Sequence, residues 1–333
     1  MRAPWAELPP RAIRGPDAQG KEMQTILGAN GQIAQELARA LKRTYTDDLR
    51  LVSRTPRPVN TGDQLVPADL LDAEQTLKAV EGSDIVYFTA GLPPDSGLWE
   101  RQFPSMLKNA LDAAVATGAA FAYFDNTYMY PQTAAAQTED TVFAPAGRKA
   151  RVRAEMARMV LDEMAAGRIA VTIARAPEFY GPGSTQSFTN ALIIDRLKAG
   201  KSPRVPLRDD TLRTLIWTPD ASRALALLGN TPDAQNQTWH LPCSEPRLTY
   251  AQFATLACTV FGRPDTHATL GRTSLYIAGL FSKGAREIRE LLPRYEHDNR
   301  FESGKFKQRF PDFPVTSYDA GLRQIKHEWE TRK

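Results

Sequence analysis

The residues best suited to chemistry stand at the end of one apolar run, AYFDNTYMYPQ, residues 122–132. In an extended chain alternate side chains share a face, which puts Asn126, Tyr128 and Tyr130 on one side. Asn126 could donate an amide N–H to a substrate carbonyl, and Tyr128 a phenolic proton. Thr127 is the nearest hydroxyl if the register is shifted. Lys149, at the start of the next helical pattern, could lower the phenol pKa if the helix brings it within reach. Packing with a hydrogen-bonded tip is the competing role for a strand-end aromatic such as Tyr128. Asp125 is expected to order the turn rather than to titrate.

A second constellation lies upstream in TILGANGQIAQELARAL, where Gly28, Gly31 and Ala34 recur at three-residue spacing between a strand and an amphipathic helix. Gly28 permits a tight turn, Gly31 lets backbone approach a pyrophosphate, and Ala34 is small enough for helix-to-strand packing. The helix N-terminus then offers unpaired N–H groups to phosphate. The competing reading is a tight turn without a ligand. The next apolar run ends in LVSRTPRP, with Ser53 and Arg54 where an NAD site offers Asp or Glu to the ribose, and Arg57 nearby. A guanidinium pairs bidentately with a 2′-phosphate, so NADP is expected, with NAD as the other candidate and solvated surface arginines as the bland alternative.

These residues need elements to position them. From Met23 onward, strands are expected at 24–27, 49–53, 84–90, 119–125 and 169–175, with helices near 32–42, 72–80, 98–117 and 148–166. Strands alternating with helices predict a Rossmann-type, doubly wound parallel α/β sheet, with ligands at the carboxyl ends of its strands. The domains expected are a flexible extension over 1–22, a dinucleotide-binding domain over 23–176, and a smaller substrate lobe over 177–333 with segments returning to the first domain. In that lobe the pattern predicts helices at 187–199, 249–261 and 273–291 and a strand at 238–241.

At 333 residues the chain can bury a sizeable core, and 24% charged residues is ordinary for a soluble protein. The net charge of +4 is spread along the chain, which argues against a nucleic-acid surface. No apolar run is long enough to span a bilayer, and the first 22 residues lack the apolar core of a signal peptide. Cys243 and Cys258 have no second Cys or His pair at metal-ligand spacing, so neither a metal site nor a disulfide framework is expected, in keeping with a reducing cytoplasm. Arg204, Arg208 and Arg213 could meet an anionic substrate, with surface charge the plainer role. His240, Trp217 and Trp239 are assigned to structure.

From about residue 23 to the C-terminus the chain resembles the extended short-chain dehydrogenase/reductase family, also called NAD-dependent epimerase/dehydratases. The resemblance lies in GANGQIA (28–34), ADLLD (68–72), YFTAG (87–91), RAPEFYGPG (175–183), LIWTPDASRALALL (215–228) and the tail FESGKFKQRFPDFPVTSYDAGLRQ (301–324). It implies cofactor contacts at Gly28, Asn30, Gly31, Gln32, Ile33, Ser53, Arg54, Asp69, Leu70, Thr89, Ala90, Gly91, Pro177 and Phe179, with Asp69 against adenine. It also implies hydride exchange with a small-molecule substrate, and a homodimer.

The catalytic centre departs from that family. Its usual acid/base is a Tyr in a Tyr-x-x-x-Lys helix motif, with a Ser or Thr holding the substrate oxygen. A free phenol has a pKa near ~10 and needs adjacent positive charge to work near neutrality. Here Pro145-Ala146 replaces Pro-Tyr, Ala150 stands in the lysine position, and Asn126 in the serine position. Lys149 is one residue away, a turn of about 100° on a helix. The segment is similar to epimerase-like sequences carrying Asp-Asn-x-Tyr-Met-Tyr. Two functions are therefore expected to compete. One is an NADP-dependent oxidoreductase or epimerase acting on a carbonyl or hydroxyl, sugar nucleotides included, through Asn126, Thr127, Tyr128 and Lys149. The other is a catalytically silent NADP-binding protein.

Overall fold

The computed structural model describes residues 22–183, 185–281, 286, 287 and 289–331. Apart from Glu22, the expected extension over 1–22 lies outside the described residues.

Thirteen strands occur among the described residues: β1 Gln24–Leu27, β2 Leu49–Ser53, β3 Gln64–Pro67, β4 Ile85–Phe88, β5 Ala120–Asp125, β6 Val171–Arg175, β7 Glu178–Tyr180, β8 Arg204–Pro206, β9 Leu212–Arg213, β10 Leu215–Trp217, β11 Gln237–His240, β12 Leu248–Thr249 and β13 Ala268–Leu270. Seven of them form one parallel sheet in the order β11-β6-β5-β4-β1-β2-β3. The strand order reverses between β1 and β4, where Leu27 pairs with Phe88. A crevice opens at such a switch point, beyond the carboxyl ends of the strands.

Both faces of the sheet are covered, which is why the central strand β4, Ile85–Phe88, is a continuous apolar run. On one face α1 (Gln32–Thr44) buries Ala34, Leu37, Ala38 and Leu41, the i, i+3, i+4, i+7 stripe of an amphipathic helix. Helix α6 (Thr218–Gly229) packs beside it, and the two share one core with Ile26, Leu51 and Trp239. The other face carries α2 (Ala73–Val80), α3 (Ser96–Thr117) and α4 (Arg148–Ala166) over Val52, Phe88, Phe121 and Ile173. Full burial of each such side chain contributes roughly 1.5–3 kcal/mol. Helix α3 starts where the Asp95 carboxylate accepts the Leu98 N–H at 3.0 Å and stops at Gly118, with φ of 71°.

The C-terminal half builds a second core from Tyr180, Ile193, Trp217, Tyr250, Phe253 and Leu322. It uses three short strand pairs and four helices: α5 Asp195–Lys198, α7 Tyr250–Phe261, α8 Arg272–Phe281 and, in the tail, α10 Tyr318–Thr331. Helix α9, Gly304–Arg309, lies instead with the first core through Phe306. Strand β11 also returns, pairing Trp239 with Ala174 at the sheet edge.

The differences from expectation include three elements. Strand β3 was not anticipated because it is a short, largely exposed edge without alternation, closed by Pro67. The helix expected at 187–199 contains a π turn over Asn190–Ile194, at the start of which the Asn190 side chain holds the backbone of Gly181 through both its N–H and its carbonyl. The helix expected at 273–291 is α8 followed by a 3₁₀ segment, Arg289–Tyr295, with residues 282–285 and 288 outside the described residues.

Candidate active site

One cleft of about 1170 Å³ runs along the carboxyl ends of the strands, from Arg54 and Asp69 past the glycine turn to Asn126, Tyr128 and Lys149. At its centre Gly28 has φ of 91°, and a Cβ there would lie 2.5 Å from the Ala90 Cα. No side chain fits that approach. Gly31 is the N-cap of α1 and provides no side-chain cap, and Gly31, Gln32 and Ile33 at this helix start line the cleft. Asn30 ties this turn to the loop after β2, donating to Thr55 O at 2.9 Å and accepting from Arg57 N at 3.3 Å.

At the end of β2 the Ser53 hydroxyl is buried beside the cleft without a partner among the described residues. Arg54 and Arg57 also line it, and among the described residues neither guanidinium has an ion pair. An orphaned hydroxyl, two unengaged cations, an uncapped helix N-terminus and a glycine cradle fit a dinucleotide. Gln32, Ile33, Asp69, Leu70, Thr89, Ala90, Gly91 and Phe179 line the same cleft, whereas Pro177 is buried and does not. Gln32 reaches across to the second lobe, donating to Pro182 O at 2.6 Å and Thr218 Oγ1 at 2.9 Å.

At the far end, Asn126 Oδ1 accepts the Tyr128 N–H at 3.0 Å, which fixes the amide so that its Nδ2 is left for the cleft. The Tyr128 ring stacks on Trp99, with centroids 6.1 Å apart and planes 13° apart. Arg294 lies over the same ring at 5.0 Å and donates to Thr127 Oγ1 at 3.1 Å. Burial pushes the Tyr128 phenol above its ordinary value; Arg294 and Arg153 oppose this, and Glu178 and Glu290 reinforce it. The phenol is therefore protonated at neutral pH and equipped to donate. Thr127 is buried beneath Arg294 and does not line the cleft.

Lys149 faces the cleft while Ala150 packs into the core, and Arg153 follows Lys149 one turn on. The ammonium is engaged, however. It donates to Ser96 Oγ at 2.9 Å, Glu287 O at 3.0 Å and Glu290 Oε1 at 3.1 Å, and forms an ion pair with the Glu287 carboxylate. Burial alone would raise Glu287, but the Lys149 and Ser96 hydrogen bonds outweigh it and hold the carboxyl below its usual range. Arg153 is likewise committed, to Asp125 at 2.7 Å.

Asp125 does order its surroundings, as its buried carboxylate also accepts from Arg175 Nε at 3.0 Å. Arg175 donates to Tyr130 Oη at 2.6 Å, and Tyr130 Oη meets His240 Nε2 at 2.7 Å. His240 Nδ1 lies 2.8 Å from Glu302 O, so that nitrogen carries the proton. Tyr130 and His240 are thus interior scaffold, and Trp217 and Trp239 are buried core. Arg213 is buried against Glu178 at 2.7 Å, Arg208 pairs with exposed Asp210, and neither they nor Arg204 line the cleft. Among the described residues no group of three or more His, Cys, Asp or Glu could hold a metal, and no helix is long and apolar enough to cross a membrane.

Residues 25–241 match the model of the NAD dependent epimerase/dehydratase family. The chain belongs to that family. The 2-alkyl-3-oxoalkanoate reductase of Shewanella oneidensis is 24% identical over 297 residues, 80% of this chain and 75% of that protein. Among solved structures, UDP-N-acetylglucosamine 4-epimerase from Bacillus cereus superposes with a TM-score of 0.73 at 13% identity, covering 93% of this chain and 99% of that one. UDP-glucuronic acid 4-epimerase from Bacillus cereus, in complex with NAD, gives 0.74 at 15% identity over the same shares. At such identities the likeness is one of fold. Within this epimerase/dehydratase fold, Trp99, Arg153, Glu287, Glu290 and Arg294 surround the candidate residues and were not singled out in the sequence. Only Arg153 left a signal, its i+4 spacing from Lys149 on one helix face.

Proposed function

We propose that the protein is an NADP-dependent oxidoreductase or epimerase acting on a carbonyl or hydroxyl group, with Tyr128 as proton donor and Asn126 as its partner. The observation that carries this reading is the continuity of one cleft from the Gly28–Gly31 turn and Arg54 to Asn126 and Tyr128. A dinucleotide bound along it supplies hydride exchange with a carbon of the substrate. Gly28, Gly31 and the start of α1 hold its pyrophosphate, Ser53 and Arg54 the adenosine ribose with its phosphate, and Asp69 and Leu70 the adenine. Asn126 Nδ2 donates to the substrate oxygen and orients it. Tyr128 Oη gives that oxygen its proton in reduction and takes it back in oxidation.

The wall around Tyr128 favours a carbonyl compound with an apolar body over a sugar nucleotide. Leu92, Trp99, Phe103 and Leu291 line it, whereas Arg208 and Arg213, suited to a diphosphate, are paired elsewhere. The Shewanella oneidensis relative, named as a reductase of 2-alkyl-3-oxoalkanoates, supports the same class. The test is label transfer from [4-²H]NADPH to a panel of ketones, 2-alkyl-3-oxoalkanoates included. Transfer that Tyr128→Phe abolishes is expected; full transfer by Tyr128→Phe sinks the assignment.

A second reading, a cofactor-binding protein without a reaction, is favoured by Lys149 being held between two carboxylates. It requires tight NADPH binding without label transfer to any compound, and transfer to one ketone rules it out.

A further inference from the structure

We infer that Arg294 is a positioning residue for Tyr128, bringing from the C-terminal lobe the positive charge beside the phenol that Ala150 does not provide from α4. The inference rests on Tyr128 being the proton donor.

Lys149 and Arg153 both reach the cleft, but each is ion-paired. Lys149 lies between Glu287 and Glu290, and Arg153 is paired with Asp125. Arg294 forms no ion pair among the described residues, and its guanidinium sits 5.0 Å from the centre of the Tyr128 ring. A cation at that distance attracts the ring face and favours the ionised over the neutral phenol. With Trp99 stacked on the ring as well, Tyr128 has an aromatic and a cationic neighbour that together fix its plane.

The arginine is itself held at both ends. Its Nη2 donates to Thr127 Oγ1 at 3.1 Å, next in sequence to the tyrosine it serves. Its backbone carbonyl accepts from Arg213 Nη1 at 2.9 Å, and Arg213 is anchored by Glu178. Glu178 is already satisfied, accepting also from Tyr250 at 2.9 Å and Tyr295 at 2.7 Å. Its carboxylate thus attracts Arg294 at a distance without binding it. The flanking Leu291 and Tyr295 are buried, which fixes the segment that carries the arginine.

The other charges acting on Tyr128 are Glu178 and Glu290, which oppose ionisation, and Arg153, which aids it. Lys149 and Glu287 line the same cleft paired with each other, and Asp125 lines it paired with Arg153. Of the charges around the phenol, Arg294 acts most strongly toward ionisation, while burial keeps the group protonated at rest. Loss of its charge therefore leaves a phenol that is harder to ionise, without emptying the cofactor half of the cleft.

The test uses the full chain with NADPH and a fluorinated tyrosine at position 128, whose phenol titrates nearer neutrality and is followed by ¹⁹F resonance. Arg294→Met should raise the phenol pKa by about one unit or more. Arg294→Lys should recover most of that shift, and Thr127→Val, which removes the anchor but not the charge, should give a smaller rise. NADPH affinity and circular dichroism verify that each variant is folded; if the methionine variant is not, Arg294→Gln takes its place. An unchanged pKa in the neutral variant overturns the inference. So does a lysine variant shifted as far as the neutral one, since shape rather than charge would then act. If Tyr128→Phe keeps its turnover while the phenol still responds to Arg294, the proton-donor reading fails and the electrostatic coupling stands.

Discussion

Lys149 Nζ lies 3.1 Å from Glu290 Oε1, and that contact joins the first turn of α4 to the second lobe. The same carboxylate accepts the backbone N–H of Arg148 and, at 3.2 Å, that of Lys149. Gly147, the N-cap of α4, has no side chain to do this. Glu290 therefore caps the helix from a distant part of the chain, as the positive end of the helix dipole favours.

Glu290→Gln should consequently destabilise the protein by about 1.5–3 kcal/mol, the range for hydrogen bonds to charged groups. Urea unfolding measures it. A midpoint equal to the parent's would mean that Glu287 alone satisfies Lys149 and the helix end.

Arg54→Ala should weaken NADPH binding by about tenfold or more, the equivalent of losing one charge-assisted contact, and leave NADH affinity where it was. Fluorescence titration of the two cofactors reads this. An equal loss for both would place Arg54 on a part of the dinucleotide that they share.

Gly28→Ala puts a Cβ 2.5 Å from the Ala90 Cα at a φ of 91°, so the turn must open or β4 must retreat. Strain of this kind costs about 1–3 kcal/mol. The expected outcome is a lower thermal midpoint together with loss of NADPH binding. Retained binding at parental affinity would show that the cradle does not meet the cofactor.

His240 supplies a pH dependence whose sign is fixed. Burial, with Arg175 and Lys305 nearby, pushes it down to about 3, against roughly 6.5 in an unfolded chain. Below ~6.5 the unfolded state takes up a proton that the folded state refuses, so the contribution is whole above that pH and is lost toward 3. The slope is at most ~1.4 kcal/mol per pH unit. Denaturant unfolding at successive pH values should show His240→Gln flatter than the parent between about 6 and 4.5. Parallel curves would mean that His240 takes up its proton in the folded state.

Much of the nucleotide half was legible because its causes are local. A positive φ demands Gly28, and a four-residue apolar run such as Ile85–Phe88 marks a strand buried on both faces. Strand β3 was not legible, since an exposed edge leaves no apolar pattern. For Lys149 the chain alone allowed either face of α4. Ala150 packing into the core is what turns Lys149 and Arg153 to the cleft.

The sequence by itself determined the glycine turn, the missing Tyr-x-x-x-Lys pair and the presence of Asn126 and Tyr128 at a strand end. Those are statements about neighbours in the chain, where backbone geometry and period suffice. Only the tertiary structure decided which cations remain free. Lys149 lost its freedom to Glu287 and Glu290, and Tyr128 gained Arg294, 166 positions further along the sequence (294 − 128). Charge pairing depends on distances of a few ångströms between elements that only packing brings together.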